Sequence, residues 1–339
     1  MTTNGRVAFL DLARGLAVFF MIMQHAIIVH AHGTGEDGGI IGGVFLLLGT
    51  APAAPVFMLI MGLFMVKVRG GPAALARRGV LLFVLGYVLN LFRFTLPLTL
   101  AGAFGEALPP ELEPWHLFWE VDILQLAGLS FLAAAALCPF AASRWVFPVL
   151  ILVVLFVSPF LWGRFADVPL FVPLWGIHDI VSFPFFPWVI YPLLGMYLSD
   201  TLIGLDGSVS RRRILAGVGL GLMVAGLLTY RVFGPGDYYR SGAGVHFGMV
   251  GFVLLWLVFC CWISRRLGTK RIPVRVVHFW SRHVTGIYVI QWILFGWSVL
   301  ALDANAMSDS TAILIGLAVL LLSHTMMMLR PAQELFKRV

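Results

Sequence analysis

The stretch that decides the fold reads RVAFLDLARGLAVFFMIMQHAIIVHA and runs from Arg6 to Ala31. It is long enough and apolar enough to span a bilayer, yet it contains Asp11, Arg14 and His25. Ionisable groups at membrane depth are costly, so they usually face the interior of a helix bundle and mark a functional site. The stretch therefore predicts a membrane helix with a functional face.

That face becomes visible when the stretch is drawn as a helix, with about 100° of turn per residue. One stripe then holds Asp11, Arg14, Val18, Met21, His25 and His32. Arg14 and His25 lie roughly 16 Å apart along the axis, which is about half of a ~30 Å hydrocarbon core. Asp11 has a structural alternative to a functional role: it could form an ion pair with Arg14 that locks a helix interface.

The composition places the whole chain in a membrane. Of its 339 residues, 60% are hydrophobic and only 12% are charged, whereas soluble domains carry about 25% charged residues. We predict an all-α, multi-pass protein with a single membrane domain over 1–339. The net charge of +7 does not require a nucleic acid, because basic residues in membrane proteins set orientation and meet anionic lipids.

Ten apolar stretches are long enough to be counted as spans: 6–31, 40–67, 77–100, 118–141, 144–162, 183–200, 211–231, 245–265, 276–302 and 310–329. Lys and Arg concentrate in the connections after the second, fourth, sixth and eighth stretches and in the C-terminal tail. Acidic residues dominate the other connections. Because positive loops stay inside, we expect both termini in the cytoplasm and the chain in the cell's inner (cytoplasmic) membrane.

The residue types on the first stretch favour acyl transfer. A neutral imidazole such as that of His25 can act as a general base on a hydroxyl or amine. Arg14 suits an anionic carrier or a developing oxyanion. Asn90, Arg93 and Arg282 are further polar residues inside apolar stretches. A transporter for a small polar solute is the alternative function, and a non-catalytic membrane scaffold is a third.

Five motifs in order resemble the transmembrane acyltransferases. They are Asp11-x-x-Arg14-Gly15 with His25, PVFMLIMG at 55–62, DILQLAGLSFL at 122–132, FPWVIYPLLGMYL at 186–198 and GIYVIQ at 286–291. The resemblance is to the bacterial relatives of heparan-α-glucosaminide N-acetyltransferase and, more distantly, to acyltransferase type 3 enzymes. Gln291 departs from the pattern, since relatives often have His there.

The resemblance implies transfer of an acetyl or short acyl group from cytosolic acyl-CoA to an acceptor on the other side of the membrane. His25 is then the favoured catalytic residue, with His30 or His32 as competitors, and Asp11 and Arg14 support it. Candidates for binding the CoA phosphates are Arg14, Arg77, Arg78, Arg265, Arg266 and Arg282. For the loop arginines, simple positive-inside orientation is the alternative.

A sugar or glycan is the expected acceptor, because aromatic faces and carboxylates gather on the outer side. The candidate residues are Trp115, His116, Glu120, Asp122, Gln125, His178 and Asp179. An interfacial aromatic belt with solvated acids would give the same pattern. We expect no metal, since the grouping of His30, His32, Glu36 and Asp37 lacks a specific ligand spacing. Membrane lipids are further partners, and a homo-oligomer is left open.

Overall fold

A computed structural model describes residues 7–32, 39–105, 112–138, 145–165, 168–234, 236–267, 271–302 and 304–336. About 80% of the described residues are helical, and they form no β-strand. Two isolated bridges, Ala31 with Met307 and Val121 with Val181, join connections between helices. The predicted all-α class is confirmed. Glu36 and Asp37, part of the weak metal pattern, lie outside the described residues.

The helices of the first half of the chain are α1 Ala8–His30, α2 Ile40–Thr50, α3 Ala53–Met65, α4 Gly71–Asn90, a π-helical turn Leu91–Thr95, α5 Leu96–Ala103, α6 Pro114–Phe118, α7 Ile123–Leu137 and α8 Val146–Leu161. Those of the second half are α9 Val172–Trp175, α10 Phe185–Trp188, α11 Ile190–Ile203, α12 Val209–Phe233, α13 Ala243–Leu267, α14 Ile272–Arg282, α15 Val284–Ser298, α16 Asp309–Met328 and α17 Arg330–Phe336.

Six helical segments of the described chain are long and apolar enough to cross a membrane. They are Ala8–His30, Ile40–Met65, Gly71–Ala103, Val209–Phe233, Ala243–Leu267 and Asp309–Met328. Ile123–Leu137, Val146–Leu161 and Val284–Ser298 are apolar but shorter. The chain is thus a multi-pass membrane protein by length and composition, while the count of ten spans stays a prediction.

The chain folds into two compact units, each assembled from separate segments of the sequence. The first comprises Met1–Ala54, Val88–Trp119 and Leu267–Val339, and the second comprises Pro55–Tyr87 and Glu120–Arg266. The single functional domain over 1–339 stays a prediction.

In the first unit, α1 is the central helix and packs against α2, α14, α15 and α16. Gly15 sits where α1 approaches α14 most closely. A Cβ atom at this position would overlap the backbone carbonyl oxygen of Val277, so only glycine allows the two helices to come this near. The close approach brings the polar end of α1 against α14.

The predicted ninth span, 276–302, is wrong as one helix, and so is the placement of Arg282 within it. The chain leaves helical geometry at His283 (φ −114°, ψ 27°), between α14 and α15. The α14 sequence IPVRVVHFWSR alternates apolar and basic residues at helical spacing, which suits an interfacial helix better than a membrane core. Arg282 ends α14 and is exposed.

His32 does not share the α1 stripe, because α1 ends at His30. The chain becomes extended at Ala31, where the His32 backbone N–H donates to the Met307 carbonyl at 2.7 Å. The His32 side chain lies against the Asn305 carbonyl, with Nδ1 3.0 Å from the oxygen. Backbone pairing with residues 305–307 has replaced the last helical turn that the sequence pattern suggested.

In the second unit, a buried polar network holds the connection between α12 and α13. The Tyr191 hydroxyl lies 2.9 Å from His246 Nδ1, and the Trp188 indole donates to the Tyr239 carbonyl at 2.7 Å. Arg240 pairs with Asp237 at 2.8 Å and donates to the Val181 carbonyl. These contacts fix Tyr239 beside the segment that leads into α7.

Candidate functional site

The charged end of α1 is held by a serine of α14. Arg14 Nε donates to Ser281 Oγ at 2.9 Å, and Ser281 Oγ donates to Asp11 Oδ1 at 2.8 Å. Arg14 Nη2 also lies 3.4 Å from Asp11 Oδ1. Both ionised side chains are mostly buried, so this three-membered network offsets part of their desolvation cost. Asp11 thus makes the ion pair with Arg14 that was the alternative to a catalytic role. The catalytic role of Asp11 stays a prediction.

The imidazole of His25 lies against two consecutive residues of α15. Its Nδ1 is 3.2 Å from Gln291 Oε1. Its ring lies over the indole of Trp292, with ring centroids 4.3 Å apart and planes inclined by 33°. Gln291 is fully buried, and its Nε2 amide group finds no hydrogen-bond acceptor among the described residues. His25 is therefore fixed at one nitrogen and along one face.

A buried arginine also contacts that indole. Arg93 lies in the π-helical turn, and its guanidinium carbon is 4.8 Å from the Trp292 ring centroid. Its Nε donates to Asn90 Oδ1 at 3.2 Å. A Cβ at Gly296 would overlap the Arg93 carbonyl oxygen, so glycine lets α15 lie directly on the π-helical turn. Such turns redirect side chains and are frequent at functional sites.

Sequence reasoning noted Asn90 and Arg93 as polar residues inside an apolar stretch, but it missed Trp292. No charge or motif distinguishes this tryptophan from the other aromatic residues of the chain. Its only sequence signal is its position directly after Gln291. The contact of its ring with both His25 and Arg93 depends on residues far apart in the chain, so it becomes visible only in three dimensions.

The competing histidines lie at the end of α1 and just beyond it. His30 is fully buried, with Nε2 3.0 Å from Ser298 Oγ. His32 is exposed beyond the helix end. Together with His25 and Gln291, the His30–Ser298 pair forms a second polar contact between α1 and α15. The described residues contain no group of three or more His, Cys, Asp or Glu side chains arranged to hold a metal ion.

A basic pocket opens at the connection between α3 and α4. Its volume is about 650 Å³, and its lining consists of Phe64, Lys67, Val68, Arg69, Ala73, Ala74, Arg77 and Arg78. Lys67 pairs with Asp200 at 3.1 Å. Within the described part of the chain, no carboxylate pairs with Arg69, Arg77 or Arg78. Three guanidinium groups therefore keep their donors for an anion.

The other predicted phosphate-binding arginines are engaged elsewhere or lie apart from this lining. Arg265 Nη1 pairs with Asp206 at 3.1 Å, and the Arg266 guanidinium carbon lies 5.5 Å from the Trp262 ring centroid. Neither residue lines the basic pocket. Arg14 and Arg282 belong to the first unit.

The predicted acceptor residues fall into separate groups. Trp115 and His116 lie in α6, where Glu113 caps the helix by accepting from both of their backbone N–H groups, and the Trp115 side chain is 61% exposed. His178 and Asp179 are exposed residues of the connection before α10. Glu120, Asp122 and Gln125 come together at the start of α7.

Asp122 and Gln125 form a capping box for α7. The Asp122 carboxylate accepts from Ile123 N at 2.7 Å, and Gln125 Oε1 accepts from Asp122 N at 3.1 Å. Gln125 Nε2 donates in turn to the Glu120 carbonyl at 3.0 Å. These contacts satisfy backbone groups that a helix start leaves open, so the structure gives both side chains a local role; binding of an acceptor stays a prediction.

Tyr239 lies close to this acidic group. Burial, followed by the charges of Asp122 and Glu120, raises the pKa of Tyr239 to about 12. The Glu120 carboxylate also lies 3.4 Å from Ser182 Oγ. A carboxylate, a hydroxyl and a phenol thus share one small region of the second unit, which is a set of groups able to bind polyhydroxyl compounds.

Replacing Glu120 by Gln should lower the pKa of Tyr239, because a neighbouring carboxylate opposes formation of the phenolate. Burial remains, so the pKa should stay above the ordinary value of about 10. As the folded-state pKa is the higher one, stability from this group is present below about pH 10 and is lost as the pH rises towards 12. Tyrosinate absorbance during alkaline titration, with Tyr239→Phe to identify the signal, measures the shift.

Asp200→Asn is the matched control for this titration, because it removes a carboxylate that pairs with Lys67 and does not act on Tyr239. It should leave the Tyr239 transition in place. An unchanged transition in Glu120→Gln would contradict the placement of Glu120 beside the phenol.

Comparison with known proteins gives one result at the level of families. Residues 7–328 match the family described as an acyltransferase domain, which covers α1 through α16. No curated protein matches the chain. The match includes the α1 face, the π-helical turn and the α15 residues around His25. Because it extends over nearly the whole sequence, the chain belongs to the acyltransferase type 3 family.

Proposed function

We propose that this chain transfers an acetyl or other short acyl group from acyl-CoA to a hydroxyl or amine of a sugar or glycan on the extracytoplasmic side. Family membership supports acyl transfer by a membrane protein. The donor, the acceptor and the direction across the membrane are our assignments. A closer kinship to the bacterial relatives of heparan-α-glucosaminide N-acetyltransferase is also proposed, on the five ordered motifs.

One observation carries the proposal: His25 is a titratable group on a membrane helix that is held at Nδ1 by Gln291. A histidine oriented through one ring nitrogen can use the other nitrogen as a general base. An imidazole is more costly than an apolar side chain inside an apolar membrane helix. A base that removes the proton of an acceptor provides a chemical reason for it.

The reaction needs few groups. The acceptor hydroxyl or amine gives its proton to His25 while its oxygen or nitrogen attacks the thioester carbonyl. The tetrahedral intermediate then collapses, the carbon–sulfur bond breaks, and the thiolate of CoA takes the proton from the imidazolium. The products are the acylated acceptor and CoA.

Arg14 lies too far from His25 to serve the same intermediate, since eleven residues of helix correspond to roughly 16 Å. We therefore assign Arg14 to the carrier rather than to the oxyanion. Ser281 and Asp11 hold its guanidinium in place. A guanidinium fixed in this way keeps its positive charge at a defined position, which suits the binding of an anionic ligand.

The basic pocket supports the choice of donor. CoA carries several phosphate groups, and guanidinium groups bind phosphates through charge-assisted hydrogen bonds. Arg77 and Arg78 line the pocket together with Lys67 and Arg69. We assign the phosphates of the donor to this pocket, and we propose no such role for Arg265, which is paired with Asp206.

The membrane arrangement is proposed with the function. We assign ten spans, the ninth formed by α15 without α14, both termini in the cytoplasm and a place in the inner membrane, on the alternation of basic and acidic connections. The basic pocket would then open to the cytoplasm, where acyl-CoA is available. Trp115, His116 and the Glu120 region would face the opposite side, where the acceptor enters.

Topology-sensitive reporters fused after residues 35, 110 and 305 should all report the extracytoplasmic side. The expectation follows from the positive-inside rule applied to every connection. A fusion after residue 207 is the matched control and should report the cytoplasm. A cytoplasmic signal at any of the three outer positions would contradict the ten-span arrangement.

Exchange of Arg77 and Arg78 for Gln should raise the KM for acetyl-CoA roughly tenfold. A hydrogen bond between buried charged partners contributes about 1.5–3 kcal/mol, but an exposed ion pair contributes only about 0.2–1 kcal/mol. The two exchanges together should therefore cost about 1.4 kcal/mol, which corresponds to a factor of about ten. The increase in KM should be smaller at high ionic strength, because salt screens exposed charges. Steady-state kinetics of the purified protein measure it.

Arg330→Gln serves as the control for that experiment, since it removes one exposed positive charge that does not line the pocket. It should leave the KM unchanged. An equal effect of the Arg330 and Arg77 exchanges would mean that the pocket arginines act only through net charge.

His25→Ala should lower kcat for acyl transfer by about 10²–10⁴-fold, the usual contribution of a general base. Binding of acetyl-CoA should remain, because the phosphates are held elsewhere. In the unchanged protein, transfer should fall as the pH is lowered, since only the neutral imidazole accepts a proton. Near-normal transfer by His25→Ala, together with an inactive His30→Ala or His32→Ala, would instead place the chemistry at the outer end of α1.

A further inference from the structure

We propose that Gln291 is the positioning residue for His25, and that its amide N–H donates to the oxyanion of the tetrahedral intermediate. The inference rests on the proposed function and names the residue that prepares His25 to act as a general base. Two atoms of one amide group, the oxygen and the nitrogen, have different roles in it. The oxygen contacts the base, and the nitrogen is kept for the reacting carbonyl.

The oxygen of this amide decides which nitrogen of His25 is basic. Gln291 Oε1 lies 3.2 Å from His25 Nδ1, and an amide oxygen can only accept a hydrogen bond. The proton of the neutral imidazole therefore sits on Nδ1. The lone pair is then on Nε2, which becomes the nitrogen that accepts the proton of the acceptor.

The nitrogen of the same amide has its own use. Gln291 is fully buried, and Nε2 has no acceptor among the described residues. A buried donor without an acceptor costs free energy, so a ligand that supplies an acceptor would recover it. Because Oε1 already contacts the imidazole ring, the N–H donors of the same amide lie next to His25. We place the thioester oxygen, which gains negative charge in the reaction, against these donors.

Neighbouring side chains restrict the position of the His25 imidazole beside the Gln291 amide. Trp292 lies on the His25 ring at 4.3 Å between centroids, and Arg93 lies on the Trp292 ring at 4.8 Å. Asn90 holds Arg93 through its Nε. Imidazole, indole and guanidinium are thus arranged in sequence against α15, and the imidazole is restricted both at Nδ1 and on one face.

The proposed step balances without a further reagent. The acceptor O–H or N–H bond breaks, and its proton moves to His25 Nε2. A bond forms from the acceptor atom to the thioester carbon, and the carbonyl oxygen becomes an anion that accepts from Gln291 Nε2–H. Collapse breaks the carbon–sulfur bond, and the imidazolium returns the proton to the thiolate.

Gln291→Met tests the assignment, since it keeps an unbranched side chain of similar length and removes both amide groups. We expect kcat for acetyl transfer to fall about 10²-fold or more, from lost orientation and a lost oxyanion donor. The KM for acetyl-CoA should change little, because the interaction is made in the transition state. Steady-state kinetics on the full-length protein in lipid measure both constants.

Ser298→Ala is the matched control. Ser298 lies on the same helix and contacts His30 of α1 at 3.0 Å, so its exchange removes a comparable polar contact between the same two helices. It should keep kcat within about twofold, as expected for a change outside the reacting groups. If both variants lose kcat equally, Gln291 only holds the helices together and the proposal is overturned.

Nitrogen-15 spectra of histidine-labelled protein in lipid bilayers test the tautomer without any activity. With His25→Asn used to assign the signal, we expect Nδ1 of His25 to carry the proton. Gln291→Met should remove this preference, and Gln291→Glu, which keeps an acceptor, should retain it. A proton on Nε2 in the unchanged protein would overturn the proposal.

The two experiments separate this inference from the function on which it rests. Absence of transfer by the unchanged protein with any acyl-CoA would reject the proposed function, while the spectra would still decide the Gln291–His25 contact. Normal kcat in Gln291→Met beside an inactive His25→Ala would reject the role of Gln291 alone.

Discussion

The need to satisfy polar side chains along one apolar helix governs the first unit. Three successive contacts meet it on α1: Arg14 and Asp11 with Ser281, His25 with Gln291, and His30 with Ser298. All three partners come from the segment that forms α14 and α15. A buried polar group without a partner is expensive, so this register between the helices is strongly preferred, and Gly15 permits the close approach that it requires.

The same register separates two kinds of chemistry along α1. The break at His283 directs α14 to the charged end of the helix and α15 to the imidazole. Arg14, which is assigned to the anionic carrier, and His25, which is assigned to proton transfer, thus lie on one helix but at separate sites. In an acyltransferase this division is useful, because a polyanionic carrier and a base that must stay neutral disturb each other when they are adjacent.

Much of this arrangement could be predicted from the sequence, and the rest depends on distant residues. The spacing of Asp11, Arg14 and His25 marks a polar face at once, because helical periodicity is a local property. Its partners lie more than 260 positions away, and no local pattern identifies them. The break at His283 follows the polar run Ser281-Arg282-His283, but a polar run inside an apolar stretch does not by itself specify that the helix ends there. The Asp-x-x-Gln pattern at residues 122–125 is local and predicts a capping box, although its residue types also suggested sugar binding.

Sealed vesicles containing the purified protein offer the most direct test of acyl transfer across the membrane. Radiolabelled acetyl-CoA is supplied on the side of the basic pocket, and an aminosugar or glycan acceptor is enclosed on the other side. We expect free CoA to appear with the donor and labelled acceptor to accumulate in the opposite compartment, in the unchanged protein but not in His25→Ala. Labelled product only on the donor side, or equal labelling by His25→Ala, would contradict a base that acts from within the membrane.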